Sequence, residues 1–258
     1  MSKVVIPFSG GMDSTTLLFQ ALNTPADAKV EFPGFVFVDA ISINYGQKHL
    51  KKELAAVDRI LNYSSIKGSC RLTHKVLDLT FFRDIASASA LTNNDIAVAK
   101  AKDVMGDPQT VNYVPFRNMM ILSICSAYAE TVGADTVYHG AAQADSVAGY
   151  WDGSKEFIDA MNNVTILNRR RKIKIVAPLL NKSKADIIKW GMDLGVPFQE
   201  TWTCYEGKDK ACGVCTACSL RLKGFIDANY VDPVPYDRDI NWDKLIKPSP
   251  SNHISTAP

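Results

Sequence analysis

No stretch of this sequence approaches the roughly 18 to 20 consecutive apolar residues that a membrane-crossing helix needs, so a helical membrane protein is excluded. A cleavable leader is not expected either: one basic residue, Lys3, precedes a short apolar stretch, Val4 to Phe8, that runs directly into Gly10-Gly11 and Asp13. Excess charge of one sign is missing as well. Twenty-nine Lys and Arg against twenty-seven Asp and Glu leave +2, which argues against a dedicated duplex-binding surface or a polybasic membrane anchor. Cysteine is scarce outside one segment, and the two that stand alone, Cys70 and Cys125, read as small buried hydrophobes rather than as a disulfide framework. A Walker-type Gly-x-x-x-x-Gly-Lys-Ser/Thr loop occurs nowhere, and there is no internal repeat. These absences leave a soluble, cytoplasmic chain with no direct nucleic-acid binding expected.

What is present is ordinary globular composition, 47% hydrophobic and 22% charged over 258 residues, enough to bury a large core. Short apolar runs alternate with stretches of helical period, the pattern of a parallel sheet with crossover helices. Strands are expected at 3–8, 34–44, 71–79, 136–140 and 173–176, and helices at 13–22, 47–61, 116–132, 156–164, 183–194 and 219–228. Ser183 and Asp186 resemble a capping box, while Gly133 and the Gly195/Pro197 pair read as helix stops. Residues 85–114 and 145–154 read as loops. The fold class is α/β: a five-stranded, mostly parallel sheet with helices on both faces. Residues 1–198 form the expected α/β domain, 199–230 a four-cysteine module, and 231–258 a polar tail that frays from Lys247.

Two segments carry chemistry. Ser9-Gly10-Gly11-Met12-Asp13-Ser14 joins the first strand to the first helix, where open α/β sheets bind ligands beyond the carboxyl ends of their strands. Paired glycines let backbone N–H groups approach an anion, Ser9 and Ser14 add hydroxyls, and the helix start adds partial positive charge. Asp13 suits Mg²⁺ or a helix cap; a plain tight turn is the competing reading. The second segment, Cys204-x7-Cys212-x2-Cys215-x2-Cys218, offers the four thiolates of a closed tetrahedral Zn²⁺ site, which is structural because no coordination position stays open. An iron–sulfur run is the alternative, although Cys218 lacks the following proline of the ferredoxin pattern.

The hexapeptide matches every fixed position of the Ser-Gly-Gly-x-Asp-Ser loop of the ATP pyrophosphatase superfamily. Together with Tyr45-Gly46-Gln47, Val114-Pro115-Phe116-Arg117-Asn118, Pro178-Leu179-Leu180, Lys184-Ala185-Asp186, and Thr201-Trp202-Thr203-Cys204-Tyr205 leading into the cysteines, it resembles the 7-cyano-7-deazaguanine synthase family over residues 3–225. The resemblance implies an adenine nucleotide alpha hydrolase-like fold, a homodimer, and a carbon–nitrogen ligase. In that reaction 7-carboxy-7-deazaguanine is adenylated by ATP, takes ammonia to give the amide, and is activated again and dehydrated to the nitrile. The product feeds queuosine, archaeosine or modified DNA bases.

Carried over by position, Phe8, Ser9, Gly10, Gly11, Met12, Asp13, Ser14, Thr15, Thr16, Leu17 and Leu18 surround ATP, with Asp13 and Ser14 at the phosphates. Arg117 is the expected phosphate or carboxylate clamp, against a plain surface arginine, and Lys184 adds charge, against a solvated helix-start lysine. Tyr45, Gln47, Asp145 and Asp152 are the expected substrate contacts. His139 is either an acid–base group or a satisfied strand-end histidine, and Arg169 to Lys172 reads as a solvated turn. One departure stands out: where family members often carry Tyr-Pro-Asp-Cys, this chain has Tyr150-Trp151-Asp152-Gly153. The missing thiol opens two alternatives, an enzyme that stops at the amide and one that conjugates the activated deazaguanine to a protein or nucleic acid; a tRNA-modifying adenylase or thiolase is a further one.

Overall fold

A computed structural model describes all residues except 1, 26, 28–30, 33–34, 36, 105–106, 108–109, 144–149 and 247–258. Asp145 and the tail from Lys247 therefore lie outside the described residues. Five strands, β1 (Lys3–Pro7), β2 (Phe37–Asn44), β3 (Leu72–Asp78), β4 (Thr136–Tyr138) and β5 (Lys174–Val176), form one sheet in the order β3-β2-β1-β4-β5. Every pairing is parallel, where the sequence indicated only a mostly parallel sheet. An all-parallel sheet must be covered on both faces, and the side-chain alternation shows how. Val4, Ile6, Val38 and Ala40 enter one core with Leu17, Leu18, Ile187 and Phe225, while Val5, Ile41, Ile43 and Val137 enter the other with Leu122, Cys125 and Ile158.

The helices are α1 (Met12–Asn23), α2 (Leu50–Leu61), α3 (Phe82–Ile85), α4 (Ala101–Val104), α5 (Arg117–Val132), α6 (Lys155–Thr165), α7 (Lys184–Asp193), α8 (Thr216–Ala228) and α9 (Trp242–Leu245). The capping box forms on α7, with the Ser183 hydroxyl accepting from the Asp186 N–H and the Asp186 carboxylate accepting from the Ser183 N–H. Among the described residues no helix is long and apolar enough to cross a membrane.

The structure corrects three expectations. Cys125 is buried, which pushes its thiol up to about 12, but Cys70 is exposed in the turn before β3. The last long helix begins at Thr216 rather than Ser219, with Cys215 as its N-cap. Residues 231–237, placed by sequence in the tail, pack on the cysteine segment instead. Both Asp232 oxygens accept from the buried Arg221 guanidinium at 2.7 and 2.9 Å, the Tyr236 hydroxyl donates to the same carboxylate at 2.6 Å, and Val234 joins Trp202, Cys204, Cys215 and Cys218 in a small core. A buried arginine needs such a paired carboxylate, and Asp232 supplies it.

Candidate active site

Strand order changes direction between β1 and its neighbours β2 and β4, and the crevice at their carboxyl ends holds a cavity of about 320 Å³. The loop after β1 forms one end. Gly10 has φ +71°, and a Cβ there would lie 2.9 Å from the Val57 amide of α2, so both the backbone angle and the close helix exclude other residues. The Gly10 carbonyl accepts from the Trp202 N–H at 2.9 Å, which ties the loop to the cysteine segment. The Gly11 N–H donates to the Ser9 hydroxyl at 3.3 Å, and the Ser14 hydroxyl donates to the Gly11 carbonyl at 3.3 Å. The first N–H groups of α1 have no acceptor within the helix and carry its positive dipole end toward the cavity.

Lys184, the first residue of α7, places its Nζ 2.7 Å from Asp13 Oδ2 and is only 11% exposed, so it is not a solvated helix-start lysine. Gly224 of α8 makes room for it: a Cβ at that position would sit 2.7 Å from the Lys184 Cβ.

The eleven residues expected around ATP divide in two. Phe8, Ser9, Gly11, Met12, Asp13 and Ser14 line the cavity. Gly10, Thr15, Thr16, Leu17 and Leu18 stand behind it. The Thr15 hydroxyl donates to the Gly11 carbonyl at 2.7 Å and that of Thr16 to the Met12 carbonyl at 2.8 Å, while both leucines are buried in the core. These five hold the loop's shape.

The opposite wall is polar and comes from four further places in the chain. Tyr45 and Gln47 follow β2, Glu53 projects from α2, Arg117 opens α5, and Tyr205 comes from the cysteine segment. Phe116 precedes Arg117 with φ +52°, an uncommon conformation for a bulky residue, and it sets the angle at which the guanidinium enters the cavity. Arg117 Cζ lies 5.9 Å from the Tyr45 ring centroid, and its Nη1 reaches the Tyr45 hydroxyl at 3.4 Å. Among the described residues no carboxylate forms an ion pair with it, which leaves a guanidinium facing the cavity.

Gln47 is engaged internally. Its carbonyl accepts from the Tyr45 N–H at 2.9 Å, and its amide donates to the Ile43 carbonyl at 3.0 Å and to Glu53 Oε2 at 2.8 Å. It therefore shapes the wall and fixes Glu53. Burial pushes the Glu53 carboxyl up to about 7, against the opposing pull of the Gln47 hydrogen bond and the Arg117 charge. Burial, with the Arg117 charge, takes neighbouring His49 down to about 3, so this imidazole is neutral at physiological pH.

Asp152 and Gly153 sit in a 3-10 turn at the cavity margin, both buried. The His139 Nε2 pairs with the Asp152 carbonyl at 3.1 Å, the satisfied strand-end arrangement. The Arg170 side chain is largely exposed and lies 3.7 Å from Glu130, as in a solvated turn.

The four cysteine sulfurs all lie within 4.8 Å of one another, and Cys212 and Cys218 are 3.9 Å apart. Four sulfurs each about 2.3 Å from a tetrahedral metal would stand roughly 3.8 Å apart, so the spacing fits an ion. Backbone N–H groups of Glu206 and Cys212 donate to the Cys204 sulfur, and those of Val214 and Cys215 to the Cys212 sulfur. Contact with the neighbouring sulfurs, Cys204 foremost, holds the Cys215 and Cys218 thiols above their ordinary value, so four thiolates need a cation between them.

The family model described as queuosine biosynthesis protein QueC matches residues 3–229. The chain belongs to the QueC family. Relatives named 7-cyano-7-deazaguanine synthase include that of Clostridium kluyveri, 38% identical over 242 residues, covering 92% of this chain and 98% of the relative. That of Nitratiruptor sp. is 40% identical over 236 residues, covering 91% and 98%, and that of Thermoplasma volcanium 39% identical over 240 residues, covering 92% and 91%. Among solved structures, the U34-tRNA thiolase NcsA from Methanococcus maripaludis with its 4Fe-4S cluster gives a TM-score of 0.46 at 15% identity over 86% of this chain and 64% of that one, too loose a likeness to bear on function.

The QueC match ends one residue past α8, so the Asp232 partner of Arg221 falls beyond it. Sequence reading of this QueC chain missed Glu53, His49 and Tyr205. A signal existed for Glu53: with Leu50, Leu54, Val57 and Ile60 it occupies the apolar stripe of α2, where a carboxylate is out of place.

Proposed function

We propose that this chain is a carbon–nitrogen ligase that converts 7-carboxy-7-deazaguanine, ammonia and ATP to 7-cyano-7-deazaguanine through an adenylated carboxylate and an amide. One observation carries the reading: in a chain of the QueC family, a single cavity joins the phosphate-type loop to a wall bearing the Arg117 guanidinium, which no carboxylate among the described residues ion-pairs. A carboxylate is a poor electrophile, and adenylation converts its oxygen into a leaving group. The first-turn N–H groups of α1, the Ser9 and Ser14 hydroxyls and Lys184 would hold the ATP phosphates, leaving the α-phosphorus open to the substrate carboxylate. Arg117 would grip that carboxylate as a bidentate fork and then the charge that develops on phosphorus. Ammonia displaces AMP, and the amide oxygen repeats the attack on a second ATP before AMP leaves and the nitrile forms. Asp152 and Tyr45 would contact the deazapurine.

Asp13 would hold Mg²⁺, which when bound would neutralise charge on the departing pyrophosphate. The four cysteines would hold structural Zn²⁺, fixing Trp202, Thr203 and Tyr205 on the wall. The reading includes a homodimer working in the cytoplasm on small molecules. The test is mass spectrometry of the protein incubated with ATP, Mg²⁺, ammonium and 7-carboxy-7-deazaguanine. Nitrile with AMP is expected, and shows Gly153 to be a tolerated change. Amide without nitrile moves the assignment to an amide-forming or conjugating relative, and absence of AMP removes it.

A further inference from the structure

We infer that Glu53 is the proton acceptor of the site, taking protons from nitrogen both when ammonia attacks the acyl adenylate and when the adenylated amide collapses to the nitrile. The inference rests on the function proposed above and assigns a step that its phosphate and carboxylate contacts leave unassigned. When ammonia adds to the acyl carbon, the C–N bond forms, the C–O bond to AMP breaks, and one proton must leave nitrogen. After the second adenylation, the C–O bond to AMP breaks, a second C–N π bond forms to complete the nitrile, and the remaining nitrogen protons leave. Neither step involves a change of oxidation state. Both need a base beside the substrate carbon.

The cavity lining offers few candidates. Lys184 is a cation held by Asp13, Arg117 is a guanidinium, and His139 is committed to the Asp152 carbonyl. Of the other carboxylates in the lining, Asp13 belongs to the phosphate end, and Asp152 sits in the 3-10 turn at the margin, where it would contact the deazapurine. Glu53 lines the wall opposite the loop, yet its backbone packs against Gly10, where a Cβ on that glycine would meet the Glu53 carbonyl at 3.1 Å. Its carboxyl is held by Gln47 at 2.8 Å and faces His49 Nε2 at 3.6 Å, with Arg117, Tyr45 and Tyr205 as the other charged or titratable groups around it. Lys52, next along α2, turns away to Asp209 and the Trp202 ring. Its side chain keeps 17% exposure, so the protonated carboxyl returns its proton to solvent between steps, while neutral His49 leaves it without a competing cation on that side. A carboxyl poised near neutrality, as burial makes this one, is matched to alternate between the two forms at cellular pH.

The test separates adenylation, which releases no nitrogen proton, from the steps that do. ATP–pyrophosphate exchange dependent on 7-carboxy-7-deazaguanine is compared with amide and nitrile formation for wild type, Glu53→Gln and Glu53→Asp, at fixed free ammonia from pH 5.5 to 8.5. Exchange within about threefold of wild type in Glu53→Gln, with amide formation down roughly 100-fold and its rise through neutral pH abolished, is the expected result. Glu53→Asp should recover part of the rate with a displaced pH midpoint. Amide formation within threefold of wild type in Glu53→Gln overturns the inference, and so does parallel loss of exchange in both variants, which would make Glu53 a binding or folding residue. Wild-type protein without substrate-dependent exchange would instead remove the proposed function itself.

Discussion

The two ends of the cavity are built in opposite ways. The phosphate end is six consecutive residues, 9–14, at one strand–helix junction, held from a distance by Lys184 on Asp13 and by the Trp202 N–H on the Gly10 carbonyl. The far wall takes Tyr45, Glu53, Arg117 and Tyr205 from four separate stretches, with Asp152 at its margin, and only the folded sheet brings them together. The first end is specified by local geometry: a glycine with positive φ, a helix start and two hydroxyls. The second depends on packing, including a strained Phe116, the internal bonds of Gln47 and a cysteine segment anchored elsewhere. A local end should lose chemistry without losing fold when a side chain is changed; a distributed wall should show both losses mixed.

The largest effect expected is at the local end. Asp13→Asn keeps the shape of the side chain but removes its charge opposite Lys184, and kcat/KM should fall by about 10³-fold while the melting temperature moves by only a degree or two. Activity within tenfold of wild type would show that the loop is a turn and not a phosphate site. Next comes the anchor of the wall. Cys215→Ser removes one of four sulfurs and should release metal, measured by a chelator assay, with a loss of roughly 3 kcal/mol or more in stability. Because the Trp202 N–H holds the Gly10 carbonyl, nucleotide affinity should weaken in the same variant. Unchanged metal content would dissociate the cysteines from both ends. Arg117→Lys then tests the wall itself: an ammonium keeps the charge but loses the fork, so kcat/KM should drop about 10- to 100-fold, largely in kcat if the clamp tightens on the transition state.

The same contrast explains what could be read from the sequence. The strands were legible because short apolar runs alternate with stretches of helical period, and the loop because six adjacent residues carry its chemistry. Tyr45, Gln47 and Arg117 were found through short motifs, but not what they do: nothing in Tyr45-Gly46-Gln47 says that the amide is occupied by Ile43 and Glu53. Lys184 was visible as a helix-start lysine, yet its pairing with Asp13 depends on Gly224, forty residues along. Asp232 was assigned to a tail because Pro233 and Pro235 read as irregular chain, and nothing local to the helix expected at 219–228 marks Arg221 as buried and in need of a carboxylate. Glu53 was the missed residue with a readable trace, a carboxylate on an apolar stripe.

That trace also has a thermodynamic form, and it gives the smallest effect. The Glu53 carboxyl titrates at its ordinary value of 4.5 in the unfolded chain and at about 7 in the fold. Between those values the folded state binds more protons than the unfolded one, so stability falls as pH rises from 4.5 and the full cost is present above 7. The ceiling is about 3 kcal/mol from the difference of the two values; with the side chain still 17% exposed, about 1 to 2 kcal/mol is expected. Glu53→Gln removes the titration, and its carbonyl can still accept from Gln47. The variant should therefore be more stable than wild type by that amount at pH 8 and equal to it near pH 4. Urea unfolding at pH 4, 6 and 8 measures the difference directly, and the titration of His49, common to both proteins, cancels from it. A gain that does not grow with pH would mean that the carboxyl is solvated in the fold, and the distributed wall would then lose the buried base that distinguishes it from the phosphate end.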